Sequence, residues 1–294
     1  MGRQVIKIFA MVGLFFCGLG LQAQHRSELS GYGGGGVSTL QYKVVTGKQN
    51  DGLGGHLGLG YHYFFRPKWG LGTGVELGGY HAKYNVDKMG VSQMTADVEG
   101  NAFEFRSTVA GFKESQRVTL MQIPLMLQFQ TGGNRHRFYV AGGGKAGFPL
   151  KGKYNNTASY RNSGYFVHEN SLYDTQEFLG FGYFAGKKAD GELDFKTAFF
   201  LAAETGMKWK LNDKLSLYTG AYFDYGLSKQ NMASRSHLVE YNKSNPPAFK
   251  VNSVLTFDPP YSPLSSSTIQ RFTDNKVTPF SAGIKLRLSF ALRD

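Results

Sequence analysis

The stretch Leu215-Ser-Leu-Tyr-Thr-Gly-Ala-Tyr-Phe-Asp-Tyr225 alternates with a period of two. One face carries Leu215, Leu217, Thr219, Ala221, Phe223 and Tyr225, and the other carries Ser216, Tyr218, Gly220, Tyr222 and Asp224. That period belongs to a β-strand with one apolar and one polar face. Residues 280–290 repeat it: Phe280, Ala282, Ile284, Leu286, Leu288 and Phe290 face one way, and Ser281, Gly283, Lys285, Arg287 and Ser289 the other. A soluble sandwich shows the same alternation, so the connections have to decide.

Eight strands are predicted, over residues 30–42, 53–65, 69–84, 119–130, 136–150, 197–211, 215–227 and 278–290. Three connections are tight: Arg66-Pro67-Lys68, Gly132-Gly133-Asn134-Arg135 and Asn212-Asp213-Lys214. They alternate with longer ones, three of which run over 85–118, 151–196 and 228–277. Short turns at one end and long loops at the other are the pattern of an outer-membrane barrel. An even strand count also returns both termini to the short-turn side. The fold class is therefore all-β, an eight-stranded antiparallel transmembrane β-barrel with short periplasmic turns and long extracellular loops. Pro124 lies inside the fourth strand, where a closed barrel has no edge to spare a missing donor, so a bulge or a register break is expected there. Loop 4 holds Pro246, Pro247, Pro259, Pro260, Pro263 and Ser265-Ser266-Ser267, and reads as extended or mobile. Loop 3 is rich in Tyr and Phe from Tyr154 to Phe184, which predicts that it prolongs strands 5 and 6 above the membrane.

The N-terminus fits export. Arg3 and Lys7 precede an apolar run from Ile8 to Leu21, and Leu21-Gln22-Ala23 offers a cleavage point, after Ala23 or Gln24. Domains follow as a signal peptide over 1–23 and an outer-membrane barrel over 24–294. The one cysteine, Cys17, lies in the apolar run, so the mature chain depends on no disulfide. Aromatics make up 15% of the chain and Gly 39 of its 294 residues, which suits closed β structure with aromatic girdles. Net charge is +12, or +10 without Arg3 and Lys7, but the bases are dispersed. That dispersion, with export, argues against nucleic acid as a partner and leaves attraction to lipid phosphates.

Strand parity puts Glu76, Lys145, Glu204, Lys208, Asp224, Lys285 and Arg287 on the inward face. Lys or Arg facing lipid at mid-depth costs about 2–4 kcal/mol, so inward is where they belong. Enclosed together they should pair into a polar core filling the lumen; a gate or a proton path is the functional alternative. Gly142-Gly-Gly-Lys-Ala-Gly147 matches the dinucleotide spacing G-x-G-x-x-G, but Phe148-Pro149-Leu150 continues a strand where that fingerprint needs a helix. No cofactor and no metal site is expected. His56 and His62 share a face of strand 2, and His81 and His168-Glu169 lie near the outer rim with no serine nucleophile fixed beside them.

Gln122-Ile-Pro-Leu-Met-Leu-Gln128, the glycine-rich strand Phe138–Gly147 and the hairpin from Ala202 through Lys214 to Gly226 resemble outer-membrane β-barrel families of the OmpA-like and PorT-like kind. The chain as given ends four residues after Phe290, so the peptidoglycan-binding domain of full-length OmpA-like proteins is not expected. The resemblance implies a barrel class rather than an activity. The expected role is a non-enzymatic structural or interaction barrel with a closed lumen. It would contact outer-membrane lipid and lipopolysaccharide, and a surface polymer or protein partner through its loops. Two alternatives stand beside it: an accessory of a secretion or assembly machine, as a PorT-like protein would be, and a lipid A-modifying enzyme. A diffusion porin fits badly, because eight strands enclose no aqueous channel.

Overall fold

In the computed structural model, which describes residues 26–234, 236–257 and 272–292, eight antiparallel strands close into a ring. They are β1 (Arg26–Gln41), β2 (Leu53–Arg66), β3 (Trp69–Ala96), β4 (Ala102–Gln130), β5 (His136–Phe166), β6 (Ala198–Lys210), β7 (Leu215–Gly226) and β8 (Lys276–Leu292). Each pairs with its sequence neighbours, and β8 pairs back onto β1 from Ser27↔Leu292 to Gln41↔Thr278. Closure satisfies every strand's ladder within lipid. The signal-peptide reading of residues 1–23 lies outside the described residues. No helix among the described residues is long and apolar enough to span a membrane; the crossing is made by strands.

The two faces sort as the alternation requires. Outward-pointing Leu57, Leu59 and Ile284 are 72%, 70% and 70% exposed, and Leu71, Leu77, Leu125, Val140, Leu201, Leu286 and Leu288 extend them into a belt. An apolar surface of that extent is stable only against lipid. Trp69, Phe129 and Trp209 sit next to the short turns as a girdle. On the inner face, small residues make room for large ones. A Cβ on Gly34 would come within 2.6 Å of the His56 ring, which instead crosses to meet Tyr222 edge-on at 4.6 Å.

Three expectations need correction. First, 85–118 is not a loop: β3 and β4 continue far above the membrane and meet only at the turn 97–101. The alternation had concealed this because its phase shifts at Asp87 and Gly111. Val86 and Met89 on β3, and Val109 and Phe112 on β4, all point inward across that shift. Gly111, at φ +63, takes a backbone conformation that other residues rarely adopt. Second, Pro124 carries neither bulge nor register break. The β3–β4 ladder skips Gly74 and Val75 and resumes with Glu76↔Gln122 in the same register. Thr73 Oγ1 donates to the Pro124 carbonyl at 2.9 Å. The bulges on the β4–β5 side fall elsewhere, between Ala110 and Lys113 and between Thr119 and Leu120.

The third correction concerns loop 4. Its described residues, far from being extended or mobile, bury Leu238, Val239, Phe249, Val251, Val254 and Leu255. They pack into one apolar cluster with Tyr84, Phe103, Phe105, Phe112, Tyr160 and Phe181 of the prolonged strands and loop 3. Pro259, Pro260, Pro263 and Ser265–Ser267 lie outside the described residues. Loop 3 does prolong β5, which runs to Phe166 and takes Gly182–Glu192 as a further antiparallel strand. Above the membrane the wall is therefore a folded platform with its own core.

Candidate functional site

The lumen is built from short polar and charged side chains that the period of two delivers to one place. The structure puts all seven inward-assigned residues inside: Glu76, Lys145, Glu204, Lys208, Asp224, Lys285 and Arg287 are each at most 6% exposed. They stack in layers from the periplasmic end. Lowest, Glu28 accepts from Lys208 Nζ at 2.6 Å, Tyr218 OH at 2.7 Å and Ser289 Oγ at 2.8 Å, with Arg26 at 3.0 Å on its outer side. Next, Arg287 donates to Gln128 Oε1 at 2.7 Å and to His62 Nε2 at 2.6 Å. Its guanidinium lies 3.9 Å from the Tyr218 ring centre, a stacking geometry favourable to a desolvated cation. Above it Lys285 pairs with Glu204 and sits 4.0 Å over the Tyr32 ring. Highest, Lys145 Nζ donates to Glu76 Oε1 at 2.6 Å and to Asp224 Oδ2 at 2.9 Å.

Four carboxylates and four cations thus neutralise each other within the described lumen. Sequence reasoning found three of the acids and missed Glu28. It lies two residues before the predicted start of strand 1, although Glu28-x-Ser30-x-Tyr32 continues the inward alternation. It placed His62 on a face of strand 2 with His56 but assigned it no partner, and it did not single out Gln128 as a lumen residue. Paired side chains from these layers fill the described lumen. The cavity among Tyr32, His62, Glu204, Lys285 and Arg287 measures about 20 Å³, room for one water molecule.

The histidines occupy separate environments: His62 against Arg287, His56 between the rings of Tyr32 and Tyr222, and His81 with Nδ1 on the Leu53 carbonyl at 2.9 Å. Among the described residues no cluster of three or more His, Cys, Asp or Glu side chains could hold a metal. Gly142–Gly147 lies within β5, with its backbone in the β4 and β6 ladders. Gly143 passes so close to the Leu125 carbonyl that a Cβ would stand 2.1 Å from it, which is why glycine is there.

A second site joins platform to plug. Glu114, on the inner face of β4 above the membrane, accepts from Ser253 Oγ at 2.6 Å, Gln116 Nε2 at 2.7 Å and the Val254 amide at 3.1 Å. No cation faces it. Burial lifts its pKa to about 7, against the pull of those hydrogen bonds. Sequence reading missed it because 85–118 was read as a loop.

The ring of strands, the apolar belt and the charge-filled lumen define a transmembrane β-barrel. The family model described as an outer membrane protein β-barrel domain matches residues 22–229, and the chain belongs to that family. It is a protein of the bacterial outer membrane. Solved structures similar to it include OprG from Pseudomonas aeruginosa, at 12% identity over 94% of this chain and 99% of that one, with a TM-score of 0.38. Neisserial surface protein A matches at 9% identity over 90% and 96%, with a TM-score of 0.31. Ail, the attachment invasion locus protein of Yersinia pestis, matches at 10% identity over 92% and 100%, with a TM-score of 0.28. No curated protein matches the chain.

Proposed function

We propose that the protein is a closed, non-catalytic surface-binding barrel whose extracellular platform engages a surface polymer or a protein partner. The observation that carries this reading is the division of labour along the barrel axis. The membrane part is filled by paired charges, while the part outside has its own apolar core and is far larger than a cap requires. Parts of a protein beyond the scaffold's need are where binding resides more often than not. The platform also exposes Val98, Val167, Leu172 and Phe178, apolar side chains far from the lipid belt. The PorT-like resemblance supplies a narrower form of the same reading, in which the partner is a secretion or assembly machine.

Two measurements test it. Reconstituted in planar bilayers, the protein should give no steady conductance; large, stable channels would overturn the closed barrel. Purified from native outer membrane, it should bring a partner that the double variant Phe178→Ser/Leu172→Ser loses. Components of a secretion machine in that partner fraction would select the accessory form. Loss of an acyl chain from lipid A on incubation would replace the reading with an enzymatic one.

A further inference from the structure

The short-turn end of the barrel gathers cations that lie far apart in the sequence. Strand alternation turns Arg26 on β1, Arg137 on β5, and Lys208 and Lys210 on β6 toward the lumen side, at its periplasmic mouth. The three tight turns add Arg66 and Lys68, Arg135, and Lys214. Among the described residues two carboxylates share this end, Glu28 and Asp213. Lys208 takes Glu28 at 2.6 Å, and Lys210 takes Asp213 at 2.7 Å. With those two pairs set aside, Arg26, Arg66, Lys68, Arg135, Arg137 and Lys214 are left in excess. Arg26 has only a share of Glu28, at 3.0 Å, and Arg137 Nε donates to the Gly133 carbonyl at 2.7 Å, which cancels no charge. Without Arg3 and Lys7 the chain carries an excess of ten positive charges, so more than half of it sits at this one end.

Arg26, Arg135, Arg137 and Lys208 meet around a hollow of about 10 Å³, with Asn134 and Ser216 as its neutral lining. That is about the size of one water molecule. It can receive the end group of a larger ligand, and no free metabolite. The outward neighbours at this height are Trp69, His136 and Trp209, the last two in ring contact at 4.8 Å. Lipid head groups therefore meet the girdle, and the strand-borne cations face periplasmic water. Like charges crowded in one concave mouth focus the field and raise the local concentration of an anionic chain. The carboxylates of peptidoglycan are spaced along stems that also bear amines. Six cations in excess within one mouth match a denser anion, the successive Asp and Glu side chains of a polypeptide.

We propose that the periplasmic mouth is a docking site for an acidic stretch of a periplasmic polypeptide. Arg135 and Arg137 grip its carboxylates as planar forks, and Arg26, Arg66, Lys68 and Lys214 supply the field around them. None of these residues lies in the extracellular platform, so the site stands or falls separately from what the platform binds.

Binding is measured by fluorescence anisotropy of a labelled octaglutamate peptide added to the barrel in neutral detergent. Each variant is first shown to fold by its faster migration on an unboiled detergent gel. The wild type should bind the peptide and release it as salt rises. Arg66→Gln/Arg135→Gln/Arg137→Gln should weaken binding on the order of tenfold or more. Arg66→Lys/Arg135→Lys/Arg137→Lys, which keeps the charge, should hold most of the affinity. Lys113→Gln/Lys151→Gln/Lys153→Gln, at the opposite end of the barrel, should bind as the wild type does. Undiminished affinity in the folded Gln variant of the mouth would overturn the site, and an equal loss in the far-end variant would overturn its placement. A loss in the Lys variant as large as in the Gln variant would overturn the charge reading. Displacement of octaglutamate by an equal concentration of a soluble muropeptide or of phosphatidylglycerol would overturn the assignment to a polypeptide.

Discussion

Replacing Lys145 by Met should be among the most damaging single changes in the barrel, and the geometry says by how much. The ammonium lies 2.6 Å from Glu76 Oε1 and 2.9 Å from Asp224 Oδ2, with all three side chains at most 3% exposed. Met keeps the length and removes the charge, leaving two carboxylates from β3 and β7 without a cation between them. Removing one partner of a buried ion pair costs about 3–5 kcal/mol. Here one cation serves two acids, so the expected loss is at the upper end, about 5 kcal/mol, comparable to the whole stability of many domains. Adding Glu76→Gln and Asp224→Asn to Lys145→Met removes the uncompensated charges and should recover most of it. Urea unfolding of the detergent-refolded barrel, followed by tryptophan fluorescence and by gel migration, measures both. A single variant within about 1 kcal/mol of the wild type would show that the lumen is not held by these pairs. A triple variant no better than the single one would show that the loss came from packing instead.

Depth in the membrane gives a second prediction: Ile284→Lys, in the middle of the belt, should cost about 2–4 kcal/mol, and Gln41→Lys at the outer rim about 0–1; equal costs in the same unfolding assay would refute the placement of the belt. Topology gives a third. Ser163→Cys should react with an impermeant thiol reagent on intact cells, and Asn134→Cys in a short turn should not; labelling of Asn134→Cys would invert the barrel. The fourth concerns Glu114, whose folded pKa of about 7 lies above its ordinary value of 4.5. A carboxyl pKa raised by burial means that the folded platform around Glu114 is most stable below about pH 4.5, loses stability as pH climbs to about 7 and then levels off. Amide exchange at Val254 and Leu255, corrected for intrinsic rates, should show that slope in the wild type and lose it in Glu114→Gln. The same slope in both proteins would rule out Glu114 as its source.

The membrane part was readable because two independent constraints act on every residue there. Leu217 must meet lipid and Tyr218 must meet the lumen, so the alternation is nearly unbroken and the charges sort themselves. Above the membrane only one constraint survives, burial against the platform core, and water tolerates many outward residues. Phe103 and Phe105 still alternate, but the phase shift at Gly111 separates them from Phe112 and Glu114, so a single long strand looked like loop. Loop 4 was harder still. Val251, Val254 and Leu255 are buried by tertiary contact with β4 and β5, and nothing in their spacing announces it. Pro246 and Pro247, read as marks of an extended or mobile loop, instead form a short 3₁₀ turn beside Phe249, which is buried against Tyr160.

The closing seam between β1 and β8 sets Tyr32 opposite Arg287 and Gly34 opposite Lys285. A slip of two residues along that seam would leave the lipid belt intact, since Ile284, Leu286 and Leu288 are interchangeable to lipid and side chains would keep their faces. The same slip would carry Arg287 away from Gln128 and His62, and Lys285 away from Glu204. The charged lumen therefore discriminates between registers: the greasy exterior tells the last strand which way to face, and the matching of charges and polar partners inside marks where it has stopped in the right place.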